Sequence, residues 1–541
     1  MPEWLCDTAL GTLIRALTGD RLLKYPEERP GFQLPPNLRQ DDHPEHLDEK
    51  ALETANGGTS PSEISLDRQA VKDQEKGLVG WYSDDDPSNP HNWSKWKKWN
   101  VVLQLGLYTV TTYGSSSLYV SSEGGMMQEF HVGYTPAALG LAINVIGYGV
   151  GPLLFGPLSE IPYFGKNGVY IPTFFIFTIL SVVLSVVDNY AGLLVLRFLQ
   201  GLFASPGLAF GGASIADLYD LLWLPVYVST WTAAAFFGPA LGPLLSGYAV
   251  MFKGWRWGLW EAAWMGGPIW VLMFLTLPET SADTVLLQRA NRLRKLTGRH
   301  DLKSASEIKQ ADMTFSGVFF EAIVKPIEIM LKDPAIAFAD FYLALCYGIY
   351  YSFFEAFALV YPPIYGFNLG ETGVSFIFVG VACIIGVSIY NIYQIVYLIP
   401  DVKKNGIRSP EHRLVPALFS SIALPMGYFL FGWTTRKSVH WIVSLIGATI
   451  VVLSNFMGFQ CLLIYIPLSY PHYAASLYAG SEVMRALFAA ACVLFARPMF
   501  VNIGIGPGCS ILAGVAVGCI FGVFALWKFG AALRARSTFA A

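Results

Sequence analysis

The chain is predicted to be an all-α integral membrane protein, with twelve transmembrane helices in two six-helix halves. Three observations predict it. The 541 residues are 54% hydrophobic and only 14% charged, where soluble domains carry about 25% charged residues. Apolar stretches close to 20 residues long, the length needed to cross a bilayer, follow one another with short loops between them. Lys and Arg fall overwhelmingly on one set of alternate loops, as cytoplasmic loops do.

The elements run in order. Residues 1–98 read as a cytoplasmic tail, largely disordered from residue 20 onward because the stretch is too polar to bury much surface. Within it, Leu10, Leu13, Ile14 and Leu17 recur at helical spacing. That pattern fits a helix on the membrane surface or a short helix in a soluble tail. Trp93, Trp96 and Trp99 alternate with Lys95, Lys97 and Lys98 as an interfacial belt. The N-terminal half, 99–278, holds spans at roughly 100–121, 136–157, 168–187, 191–213, 223–250 and 258–278. A central cytoplasmic loop, 279–337, carries Leu286, Leu287, Ala290, Leu293 and Leu296 among basic residues. This reads as an amphipathic helix on the inner membrane face, with a solvated charged helix as the alternative. The C-terminal half, 338–530, holds spans at roughly 338–362, 371–398, 412–433, 439–468, 472–498 and 507–530. Residues 531–541 form a second cytoplasmic tail.

Lys166, Arg289, Arg292, Arg294, Lys295, Arg299, Lys403, Lys404, Arg408, Arg413, Arg534 and Arg536 share one side with the belt lysines, against Lys253, Arg256, Arg436 and Lys437 on the other. Both termini are therefore expected inside, and the sequon at Asn92 unused. A formal net charge of −3 gives no reason to expect nucleic acid as a partner. Six of the seven cysteines lie in apolar segments and no C-x-x-C occurs, so neither a disulfide framework nor a redox pair is expected. The eight histidines show no metal-ligand spacing and no phosphate-binding Gly-rich loop is present. An enzyme, a metal, a cofactor and ATP-driven pumping are all unexpected; an ion gradient is the energy source left.

Several segments in fixed order carry a family resemblance. They are Asp86-Pro87-Ser88-Asn89-Pro90-His91-Asn92-Trp93-Ser94, then Gly156-Pro157-Leu158-Ser159-Glu160 through Gly165-Lys166. Arg197-Phe198-Leu199-Gln200-Gly201 follows, then Gly238-Pro239-Ala240-Leu241-Gly242-Pro243 with Gly247, and Leu277-Pro278-Glu279-Thr280-Ser281. The chain resembles the major facilitator superfamily, specifically its fungal twelve-span drug:proton antiporters. Ile161-Pro162-Tyr163-Phe164-Gly165, Tyr365-Gly366-Phe367-Asn368-Leu369-Gly370 and Tyr473-Ala474-Ala475-Ser476 resemble the subgroup that exports azoles, benomyl-like compounds and natural toxins. The resemblance implies the major facilitator fold, protons as the coupling ion, a plasma-membrane location and a monomer. Two positions depart from the pattern. Glu160 and a single Lys166 stand where the family has Asp and several Arg, and the loop at Asp220 to Pro225 lacks the usual basic residue.

Intramembrane charges mark functional sites by default, because each must find a partner or water. Arg197 stands in span four, and the resemblance assigns that position to proton coupling. Glu482 and Arg485 lie one helical turn apart in span eleven, as a local ion pair or as groups that trade partners. Glu355 is a lone carboxylate in span seven, suited to taking up a proton. Tyr347, Tyr351, Phe354 and Glu355 share a helical face and form a candidate aromatic pocket wall. Tyr113, Asn144 and Trp231 are further substrate candidates, with Gln104. The gating candidates are Gly156, Glu160, Gly165, Lys166, Gly201, Gly238, Pro239, Gly242, Pro243 and Gly247. In span five, glycines spaced four apart allow close packing and each proline removes a backbone hydrogen bond.

The expected function is secondary active export of small hydrophobic or aromatic molecules (drugs, fungicides, toxins or secondary metabolites) in exchange for protons, by alternating access between the halves. The alternatives are proton-coupled uptake of a nutrient and a transporter-derived membrane sensor. The expected partners are the small-molecule cargo, protons and lipid.

Overall fold

The computed structural model describes residues 5–32, 38, 77–310, 315–406 and 408–539. Ten of its helices are long and apolar enough to cross a membrane. In the first half, span 1 is Lys95–Leu118, span 2 Tyr134–Glu160, span 3 Asn167–Val186, span 4 Tyr190–Ala209, span 5 Leu224–Lys253 and span 6 Arg256–Thr276. In the second half, span 7 is Pro334–Val360, span 8 runs from Leu369 to Asn405, span 9 is Val415–Thr434, span 10 Trp441–Ser469, span 11 Ala474–Ile503 and span 12 Ile505–Arg536. Spans 1 and 6 are the two that miss the apolarity criterion. Span 1 misses because Thr109, Thr111, Thr112, Ser115, Ser116 and Ser117 turn into the protein and are buried there. A span surrounded by other spans need not be apolar all round.

Polar side chains fix the helix starts. Ser94 accepts from the Lys97 N–H, Asn189 from the Gly192 N–H, and Asn368 with Glu371 forms a reciprocal capping box at the start of span 8.

Small residues set the helix contacts within each half. A Cβ built at Gly201 would lie 2.1 Å from the Asn144 carbonyl oxygen, so span 4 meets span 2 at backbone distance. Gly238 and Gly242 bring span 5 equally close to span 1, at Tyr113 and Ser117. Two seams join the halves. Span 2 meets span 11, where a Cβ at Gly149 would lie 2.2 Å from that of Ala486. Span 5 meets span 8, where a Cβ at Gly373 would lie 2.1 Å from the Pro243 carbonyl oxygen and one at Gly247 2.9 Å from that of Leu369. Toward the inner end, Ser229 of span 5 donates to the Asn391 side chain of span 8 at 2.8 Å.

The tail was expected to be largely disordered from residue 20, and residues 33–37 and 39–76 lie outside the described residues. The parts that are described fold onto the central loop. Strand β1, Leu78–Val79, pairs in parallel with strand β2, Lys303–Ser304. Asp86 holds Arg289 at 2.8 Å, Glu27 holds Arg292 at 2.8 Å, and the Arg289 guanidinium lies 3.9 Å from the centre of the Tyr82 ring. The polar composition finds its order in charge pairing and ring stacking around one small apolar cluster. The helix Ala9–Thr18 joins the end of span 6 through a bridge between Thr8 and Pro278. The linker helix Ala282–Thr297 turns Ala290 and Leu293 onto Val79, Leu302 and Leu38. Of the expected apolar stripe, Ala290 and Leu293 thus pack on the tail and on Leu302, while Leu296 stands exposed.

Candidate functional site

Where the two halves face each other, spans 1, 5, 7, 10 and 11 line a small cavity of about 20 Å³. Tyr113, Phe236, Pro239, Tyr347, Tyr350, Phe459 and Arg485 line it. Its walls are therefore aromatic, with one guanidinium. Drug-sized pockets hold about 300–1,000 Å³, so the protein is closed around a space far too small for such a cargo. Arg485 is buried, bonded to Glu482 one turn earlier, and lies 4.9 Å from the centre of the Phe459 ring and 5.7 Å from that of Tyr347. Glu482 keeps its Oε1 buried without a partner. Tyrosine hydroxyls cross the midline beside the cavity: Tyr148 meets Tyr347 at 2.8 Å and Tyr351 at 3.0 Å, and Tyr351 meets Ser116 at 3.4 Å.

Arg197 is fully buried. Its guanidinium donates to the Gly140 carbonyl at 3.1 Å, the Ser115 carbonyl at 3.0 Å, the Ser116 carbonyl at 3.1 Å and Gln200 Oε1 at 2.9 Å. It also lies 4.5 Å from the centre of the Tyr119 ring. The charge is thus spread over backbone of spans 1 and 2, as expected for an arginine that cannot shed its proton in an apolar surround.

At the end of the bundle away from both tails, the outer end in the orientation expected from the Lys and Arg bias, Tyr134 of span 2 donates to Glu355 of span 7. Arg497 of span 11 brings its Nη1 to 4.0 Å from the same carboxylate and stacks on the Tyr134 ring at 3.8 Å. Glu123, just after span 1, is buried against this group with Oε1 unpartnered. Burial pushes the Glu123 carboxyl well above its ordinary range and the Glu355 charge pushes it further, against the pull of Arg497, Tyr134 and Arg197.

At the inner end, Lys166 pairs with Asp217. Glu279 accepts from the N–H groups of Lys166 at 3.2 Å and Asn167 at 2.9 Å, anchoring the end of span 6 to the start of span 3. Gly165 has φ +65°, and a Cβ there would lie 2.7 Å from Glu279 Oε2. Glu279 is pushed up by burial, with its backbone N–H partners pulling back. In the second half, Glu411 pairs with Arg534 at 2.8 Å.

The sequence candidates divide by place. Tyr113, Tyr347, Pro239 and Arg485 line the cavity. Tyr351 adjoins it, and Phe354 stacks on Phe376 at 5.2 Å between ring centres. Glu355 shares their span but belongs to the outer cluster. Asn144 donates to the Arg197 carbonyl at 2.9 Å, and Trp231 to Thr109 at 2.9 Å, each tying two spans together. Gln104 is buried in span 1 with both side-chain polar atoms unpartnered. Gly201, Gly238, Gly242, Gly247 and Pro243 sit at the helix contacts described above. Gly156 leaves ordinary room, with Phe210 at 3.7 Å, and Glu160 stands exposed at the end of span 2. The sequence reading did not single out Phe236, Tyr350, Phe459, Tyr148, Glu123, Tyr134 or Arg497. For Arg497 the signal was available: it is an arginine within the apolar run Leu494 to Phe500, the same criterion that marks Arg197.

The comparisons with known proteins agree with this architecture. The family profile described as Major Facilitator Superfamily matches residues 105–491. The MFS-type transporter pyvG of Aspergillus violaceofuscus is 39% identical over 100% of both chains. Fluconazole resistance protein 1 of Saccharomyces cerevisiae is 35% identical over 89% of each chain. Among solved structures, the partially occluded inward-open xylose transporter XylE from E. coli superposes with a TM-score of 0.53 at 15% identity, covering 80% of this chain and 99% of its own.

Proposed function

Because the chain belongs to the major facilitator superfamily, we propose that it exports small, largely uncharged aromatic or hydrophobic molecules across the plasma membrane in exchange for protons. The observation that carries this reading is the central cavity, whose walls come from both halves and consist of aromatic rings and one arginine. Such walls suit planar apolar cargo that carries hydrogen-bond acceptors, by stacking and by donation from the guanidinium. A cationic cargo is disfavoured by Arg485. The printed name of the yeast relative, Fluconazole resistance protein 1, points to the same chemical class.

Coupling follows from the Glu482–Arg485 pair. A proton taken by Glu482 removes the charge that holds Arg485, and the freed guanidinium changes what the cavity wall offers the cargo. Arg197 acts at a distance, by fixing spans 1, 2 and 4 to one another and by its field on Glu123. The bias of Lys and Arg supports cytoplasmic termini.

The test is accumulation of a labelled azole and a planar dye in pump-deleted yeast expressing the chain, at acidic external pH, with a protonophore control. Lower accumulation that the protonophore abolishes is expected. Raised accumulation would replace export with uptake, and export indifferent to the protonophore would remove the proton from the mechanism.

A further inference from the structure

The outer cluster contains more acceptors than hydrogens. Tyr134 has one hydroxyl hydrogen and gives it to Glu355. Glu123 faces the same hydroxyl and feels the Glu355 charge, yet its Oε1 has no partner although the residue is only 5% exposed. The charged and titratable groups around Glu123 are Glu355 from span 7, Arg497 from span 11, Tyr134 from span 2, Arg197 from span 4 and Tyr119 after span 1. None gives a hydrogen to Glu123 Oε1. The Arg197 donors go to backbone carbonyls and Gln200. Arg497 is 4.0 Å from Glu355 and lies over the Tyr134 ring. Glu129, farther along the helix Glu123–Phe130, is satisfied separately by Trp255 at 2.7 Å and Arg256 at 2.6 Å. A buried carboxylate oxygen left without a hydrogen is costly, whereas a carboxylic acid can donate from that oxygen to the Tyr134 hydroxyl.

We propose that Glu123, Tyr134 and Glu355 form a proton-binding site that is complete only when the outer ends of the two halves are closed, so that closing the outer seal captures a proton from outside. The proton comes from external water and sits on Glu123, whose O–H then donates to the Tyr134 oxygen while Tyr134 keeps donating to Glu355. Glu123 and Tyr134 belong to the first half, Glu355 and Arg497 to the second. When the outer ends part, the chain of two hydrogen bonds is broken, both carboxyls meet water and the proton is lost. The proposal rests on the proton-coupled reading above and adds to it a second, outer proton site, distinct from Glu482, and the movement that fills it.

The test reads the seal rather than transport. Thr372 is buried beside Gly373 at the seam of spans 5 and 8. In the full chain in yeast, a Thr372→Cys substitution is labelled with a membrane-impermeant maleimide at external pH 5 and pH 8. Its labelling is divided by that of Ser438→Cys, an exposed outer-loop control, to cancel the pH dependence of the thiol itself. The ratio is expected to rise several-fold at pH 8. Glu123→Gln is expected to hold it low at both pH values, because the amide donates as the acid does, and Glu123→Asp is expected to restore the rise. An unchanged rise in Glu123→Gln, a high ratio at both pH values in that variant, or a flat ratio without any Glu substitution would each overturn the proposal. Export indifferent to a protonophore, with the labelling pattern intact, would sink the antiport reading and leave the proton site standing.

Discussion

Replacing Arg197 by Lys separates two explanations of a buried arginine. If its charge alone matters, lysine is a near-equivalent. If its fork matters, lysine fails, because one ammonium cannot follow the planar guanidinium to the Gly140, Ser115 and Ser116 carbonyls together. Those three bonds, at 3.1, 3.0 and 3.1 Å, join span 4 to spans 2 and 1. Side-chain hydrogen bonds between membrane helices average about 0.6 kcal/mol and reach about 1.7 kcal/mol. Losing all three in Arg197→Met therefore costs about 2–5 kcal/mol. Lysine, keeping one bond, loses about 1–3 kcal/mol and gains an ammonium with poor solvation in the protein interior. Both variants should insert, melt earlier in detergent by fluorescence-detected size exclusion, and lose most export of a planar dye, with lysine nearer to methionine than to arginine in export. A lysine variant with unchanged melting and full pH-dependent export would refute the fork argument and return the residue to a purely electrostatic role.

Further expectations follow from other contacts. Gly373→Ala places a methyl group 2.1 Å from the Pro243 carbonyl oxygen across the outer seam; the outer seal should stand open, read as raised impermeant-maleimide labelling of Thr372→Cys at pH 5. Phe236→Ala and Phe459→Ala each remove an aromatic wall of the cavity; the apparent affinity for planar cargo should fall several-fold while surface expression holds, measured by dye efflux against concentration. The Asp86 carboxyl is raised by burial but more than offset by Arg289 and two backbone N–H bonds, so it lies below its ordinary range. A depressed acid stabilises the fold above its unfolded pKa and loses that contribution only as pH falls through the lowered value. The tail should therefore stay docked throughout the neutral and mildly acidic range and loosen only below about pH 4, whereas Arg289→Ala should release it at any pH, as limited proteolysis of the tail would register.

Much of the fold was legible because the bilayer imposes length and apolarity on each span, and those are properties of local sequence. Arg197 and the Glu482–Arg485 pair were legible as well, since charges stand out in apolar runs. What the sequence could not supply was partnership. Glu355 reads as a pocket acid because Tyr347, Tyr351 and Phe354 share its face, yet Tyr134 and Arg497 draw it into the outer cluster. Asn144 and Trp231 read as cavity residues because they are polar or amphipathic; the structure gives them the spans' own acceptors instead. Phe236 and Phe459 went unmarked because a phenylalanine in a membrane helix carries no local sign of whether it meets lipid, another helix or a cavity. The docking of the described part of the tail was not legible for a different reason. Composition measures how much apolar surface a segment can bury, and the described part of this one docks through Asp86 and Glu27 onto arginines 203 and 265 residues away.

Two inner braces tie the turn between two spans to the last span of each half. In the first half the turn between spans 2 and 3 meets the end of span 6, where Glu279 accepts from the backbone at Lys166 and Asn167. In the second half the turn between spans 8 and 9 meets the end of span 12, where Glu411 of the turn accepts from Arg534. The positions correspond, but the acid sits on the span in one half and on the turn in the other. A Cβ would collide with the acid in both, 2.7 Å away at Gly165 and 2.8 Å from Glu411 at Gly530, with the glycine opposite the acid each time. The two braces thus share a glycine–carboxylate contact while exchanging which partner bears the charge. The physical consequence is common to both: each half is clamped at its inner end by a buried carboxylate. The smooth seams between spans 2 and 11 and between spans 5 and 8 join separate halves, so movement is easier along them than within either clamped bundle, as rocking of two rigid bundles requires.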